Sequence, residues 1–133
     1  MTERKDTPTR RRRRHDELGQ VAIEYLGFIP LLLLVGLFAI QLGIAAYTAN
    51  QAGTAARVAA RTASQDKLDN ELDPEVAGRR AISDWLSGPG KASFIPSSGA
   101  DEVTYTVRIR VPSVVPGIDD WGEATRRSTM PLD

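Results

Sequence analysis

The sequence predicts an α+β protein: a long N-terminal transmembrane helix that continues outside the membrane, then a short helix and a small antiparallel β hairpin or sheet. Three observations predict it. From Tyr25 to Ala56 there are 32 consecutive residues without a charge. Small residues then recur at spacings of three and four, the period of one helical face. Far downstream, Val103, Tyr105, Val107, Ile109 and Val111 alternate with Thr104, Thr106, Arg108 and Arg110, the period of a half-buried strand. The chain has 133 residues with 17 basic and 17 acidic side chains, so it is formally neutral. That balance hides a separation. Residues 1–18 carry seven basic and four acidic groups, whereas residues 57–133 carry ten basic and twelve acidic ones.

Residues 1–19 read as a basic cytoplasmic leader. They hold the run Arg10 to Arg14 and almost no apolar side chains, too few to order the segment by burial. An arginine run can mark a nucleic-acid patch, a nuclear-type signal or a cytoplasmic anchor beside a membrane span. The apolar block that follows a few residues later favours the anchor.

Residues 20–48 read as the span. Tyr25 to Tyr47 number 23 and include Leu31 to Leu34. As a helix they extend about 34 Å, enough for a hydrocarbon core of roughly 30 Å. The block is too long for the apolar core of a secretory signal. A buried core helix is the competing reading, but the remaining chain offers little apolar surface to wrap it. Basic residues concentrate before the span, which predicts a single-pass membrane protein with its N-terminus cytoplasmic and its C-terminal part extracytoplasmic.

Residues 49–65 read as an Ala-rich extension of the same helix, running from about Gln20 to Ser64. Gly36, Ala39, Gly43, Ala46, Gly53, Ala56, Ala60 and Ala63 form a stripe of small residues. Such a stripe lets another helix approach closely. The plainer alternative is that alanine is used for its helix propensity. Pro30 lies inside the helix and removes one backbone donor, so a local kink or loosened turn is expected there.

Residues 66–133 read as a small α+β domain. Asp73-Pro74-Glu75 has the signature of a helix start, and Gly88-Pro89-Gly90 that of a stop. Ile82, Trp85 and Leu86 form an apolar patch between them, expected to pack on the hairpin. Strand 103–111 ends at Pro112, and Glu123 to Met130 is placed to return as its partner.

Residues able to do chemistry are few. There is no cysteine, and His15, the single histidine, lies in the basic leader. No metal-ligand set, cofactor motif or catalytic triad is present, so no metal, cofactor, small-molecule substrate or enzymatic activity is expected. The informative segment is Gly19-Gln20-Val21-Ala22-Ile23-Glu24-Tyr25. Glu24 is an ionisable group at the edge of the apolar block, where a charge is costly. A cut after Gly19 would give Gln20 a new α-ammonium group four residues from Glu24, on the same helical face. Glu24 could neutralise that ammonium, or the one on a neighbouring subunit. Glycine before the cut has no side chain to obstruct a narrow protease cleft.

Gly19, Glu24, Tyr25, Pro30, Leu31 to Leu34, Gly43, Tyr47 and Ala55-Ala56-Arg57 together resemble TadE-like proteins, within the pilins and pseudopilins of the tight-adherence (Flp/Tad) system. Gln41 and Leu42 stand where that group often has glutamate and an aromatic residue. The resemblance implies cutting between Gly19 and Gln20 by a membrane-embedded aspartyl prepilin peptidase. It implies partners among other pilin or pseudopilin subunits, the assembly machinery and the bilayer, and a location in a bacterial cell membrane or in a surface pilus. The chain is then a minor pilin or pseudopilin, with a domain added after the helix. The alternative is a single-pass anchored module that is never processed and binds a cell-envelope partner. Nucleic acid is not expected as a partner.

Overall fold

A computed structural model describes residues 10–65 and 72–132, with side chains from Glu17 onward. The first nine leader residues, the segment 66–71 and the side chain of His15 lie outside the described residues. Helix α1 runs from Arg10 to Gln65. It begins ten residues before the expected start at Gln20. Arginine, glutamate and leucine are good helix formers, and extending an existing helix costs far less than nucleating one. The helix also continues through Pro30. The missing proline N–H removes one bond to the carbonyl four residues earlier without ending the helix.

The chain divides into two compact units, Met1–Phe38 and Ala39–Asp133. In the first, Leu26, Ile29, Leu31, Leu33 and Val35 are all exposed. The helix is long and apolar enough to cross a membrane, and only 6% of its most apolar window is buried within the chain. The core-helix reading fails on that burial.

The second unit holds the last part of α1, then α2 (Pro74–Arg80), α3 (Asp84–Ser87), β1 (Ala92–Ser98), β2 (Glu102–Arg110) and β3 (Glu123–Pro131). Asp73 caps α2 as its sequence predicts, its Oδ1 accepting from the N–H groups of Glu75 and Val76. The single short helix expected between residues 73 and 88 is in fact two. The N–H of Ser83, which would have continued α2, donates instead to Oε1 of Gln51 on α1 at 3.1 Å. The break turns Ile82 and Leu86 inward together, both buried.

The sheet is a three-stranded antiparallel meander in the order β1-β2-β3. Ile109 pairs with Ala92 on one side and Ala124 on the other, and Val107 with Phe94 and Arg126. Directly paired residues share a face, so this set looks toward α1. The core joins Ala52, Ala55 and Ala56 of α1 to Ile82, Leu86, Ala92, Val107 and Ile109, with Phe94 packed against it. Trp85 does not belong to it, contrary to expectation. It is 46% exposed and stacks on Tyr47 with ring centroids 5.8 Å apart.

Gly78 marks where α2 comes closest to α1. A Cβ there would stand 2.5 Å from Cε1 of Phe94 and 3.1 Å from the carbonyl oxygen of Ala55. Phe94 cannot simply swing away, because the Arg79 guanidinium lies over its ring at 5.1 Å. That guanidinium is itself bonded to Glu75, Ser87 O and Ala92 O. Gly78→Ala is therefore expected to lower stability by about 1–2 kcal/mol, the overpacking cost exceeding the gain in helix propensity. Denaturant titration of the two proteins side by side checks this.

Candidate functional site

Gly19, Gln20, Glu24 and Tyr25 are all exposed on α1. Gln20 and Glu24 sit one turn apart on the same face, as their spacing requires. Val21, Glu24, Tyr25 and Phe28 line a shallow crevice along the helix. Their offsets of three, four and seven residues follow from the helical period. The carboxyl of Glu24 thus stands among three apolar side chains. No heavy atom lies within 4 Å of where a Cβ on Gly19 would stand. Glycine in a helix costs about 1 kcal/mol relative to alanine. Among the described residues, nothing packs against this position to offset that cost.

The stripe of small residues divides. Gly36, Ala39, Gly43 and Ala46 are exposed, and Gly53 and Ala63 are half-buried. Ala56 and Ala60 are fully buried inside the chain. The expectation of one continuous assembly face is corrected for those two. Their small side chains are occupied by the chain's own fold, Ala56 within the core beneath α2 and the sheet. Gly43 and Gln41 are two residues apart, about 200° around the helix. Gly43 therefore faces away from the side of α1 that carries Gln41.

Gln41 is a functional residue of the fold that the sequence motifs do not mark. It is completely buried. Its Nε2 donates to the carbonyl of Pro112 at 2.9 Å, and its Oε1 accepts from the N–H of Val114 at 2.8 Å. One carboxamide thus satisfies a backbone acceptor and a backbone donor two residues apart, as a neighbouring strand would. Further along α1, Gln51 holds Ser83 N–H, and Tyr47 shares a 2.7 Å hydrogen bond with the Ser83 hydroxyl. A signal for Gln41 was present in the sequence: an isolated carboxamide amid apolar residues needs partners.

The family model for TadE-like protein matches residues 19–61. That stretch, about a third of the chain, is similar to TadE-like proteins. No curated protein and no solved structure matches the chain. The TadE-like segment opens on Gly19 and takes in Glu24, Tyr25, Pro30, Gly43 and Tyr47. It ends within α1, so α2, α3 and the sheet all lie beyond it. A TadE-like segment suggests a protein associated with the Tad pilus, and the long apolar helix suggests membrane anchoring.

Proposed function

We propose that the chain is a minor pilin or pseudopilin of a tight-adherence pilus or a related secretion apparatus, cut after Gly19 by a prepilin peptidase. The observation that carries this reading is the position of Gly19. It is the first residue of the family match, an unencumbered glycine within a helix, and the last residue before the apolar stretch that holds Glu24. In this reading the chain is the peptidase's substrate and performs no catalysis. Glycine also lowers the cost of locally unwinding the helix, by about 1 kcal/mol relative to alanine, which a protease must do to reach the peptide bond. The leader stays in the cytoplasm by its arginines and the second unit lies outside.

Cutting leaves Gln20 with an α-ammonium group. Glu24, on the same face, pairs with that charge or with its counterpart on an adjacent subunit. The exposed residues Gly36, Ala39, Gly43 and Ala46 provide a surface against which neighbouring helices pack closely.

The deciding experiment is the N-terminal residue and mass of the protein recovered from membranes of its own host. Gln20 at the terminus supports the proposal. An intact Met1 in a host with an active prepilin peptidase overturns it and leaves a tethered, unprocessed module. Glu24→Ala is expected to be cut normally but to lower recovery of the protein in assembled complexes or sheared filaments by about tenfold, in line with the loss of a poorly solvated ion pair. Quantitative blotting of membrane and filament fractions measures it.

A further inference from the structure

The connection between β2 and β3 is built unlike an ordinary surface loop. Its base is closed by the Val111 N–H bonding to the Gly122 carbonyl at 3.0 Å. Inside, the Ser113 hydroxyl receives the Trp121 indole N–H at 3.0 Å and itself bonds to the carbonyl of Ile118. The N–H of Ile118 turns back to the carbonyl of Val115. Gln41 takes up the Pro112 carbonyl and the Val114 N–H. Polar backbone groups are thus directed inward, while Val114 and Ile118 are 40% and 39% exposed. Gly117 provides the turn between them with φ +81°.

The clamp also fixes the height of this loop. Gln41 lies six residues before Tyr47, the end of the apolar block, which is about 9 Å along the helix axis. Its neighbours Ile40 and Leu42 are exposed. Above the clamp, the exposed Tyr47–Trp85 stack stands where an aromatic pair would meet the headgroups. Irregular backbone enters hydrocarbon only when its polar groups are satisfied within the protein; here the Val114 and Ile118 N–H groups and the Pro112, Val115 and Ile118 carbonyls are held in this way, whereas the exposed carboxylates of Asp119 and Asp120 belong at the level of the headgroups.

We infer that the tip of this loop rests on the bilayer on the C-terminal side of the span, its Val114 and Ile118 side chains reaching the upper acyl chains while Asp119 and Asp120 stay among the headgroups. The inference rests on the membrane reading of the apolar segment. The surface is continuous with that segment through Ile40 and Leu42, and the occupant is lipid. The second unit is then anchored by two elements, which restricts its tilt over the membrane.

The chain has no cysteine, so single nitroxide labels can be placed on the full protein through Leu33→Cys, Val114→Cys, Ile118→Cys and Thr125→Cys. All four positions are exposed. Each labelled protein is reconstituted into phosphatidylcholine–phosphatidylglycerol vesicles, and collision of the label with oxygen and with a water-soluble nickel chelate is measured. Oxygen partitions into hydrocarbon and the chelate is excluded from it. The oxygen-to-nickel ratio at 114 and 118 is therefore expected to exceed that at 125 by about tenfold and to approach that at 33. A high ratio at 33 with aqueous values at 114 and 118 overturns the inference and leaves the span intact. Labels at 114 and 118 shielded from both reagents mean that a second copy covers the loop, and this also overturns it. An aqueous value at 33 overturns the membrane reading itself.

Discussion

Gly19→Trp is expected to leave the chain uncut, with processing reduced by about 100-fold or more, and a single band of full-length mass in membranes. A displacement of about 1 Å at a protease's reacting centre already costs two orders of magnitude, and an indole cannot enter a cleft shaped for glycine without one. The structure makes the experiment clean. The position of a Cβ at residue 19 is empty to 4 Å, so a side chain begins there without meeting the folded chain. Gly19→Ala provides the graded control. It raises helix propensity by about 1 kcal/mol and adds a single methyl. Slower cutting of this variant, with unchanged membrane levels, separates the demands of the protease from those of the fold. Normal maturation of both variants would show that the cut, if any, lies elsewhere. Mass spectrometry of the membrane fraction distinguishes these results.

Gln41→Leu is the second large effect, and it acts on stability. The leucine matches the glutamine in bulk but leaves the Pro112 carbonyl and the Val114 N–H without their partner. Each unsatisfied buried backbone group costs about 1–3 kcal/mol, so a loss of about 2–4 kcal/mol is expected in denaturant unfolding followed by tryptophan fluorescence. An unchanged unfolding midpoint would contradict the placement of this side chain.

How much was legible in the sequence depended on whether the signal was local. The uncharged block and the β2 alternation are local, and both became the elements they predict. Strand β3 was anticipated although only Ala124 of its residues is buried. Strand β1 was not. It carries Pro96 and ends in Ser97-Ser98, and only Ala92 along it is fully buried. As an edge strand it tolerates a proline and needs no alternating pattern. In the sequence Gln41 stands out only as a departure from a family pattern. Its partners lie 71 and 73 residues away, brought there by the sheet. The alanine stripe was visible as spacing, but spacing does not state what covers a face. The fold assigns Ala56 and Ala60 to the chain itself and leaves Gly43 and Ala46 uncovered.

The alanines of α1 carry a practical consequence. Since Ala52, Ala55 and Ala56 are members of the core, the helix is the floor of the C-terminal unit and not a stalk beneath it. A truncated polypeptide that starts at Asp73 would lack that floor and would expose Leu86, Val107 and Ile109 to water. A shortened polypeptide that keeps this floor and the clamp on the loop after β2 must retain α1 from Gln41 onward. The same joinery means that a pull along the helix from this point is carried as shear across the alanine–sheet contact, so extracting the helix drags the folded cargo with it.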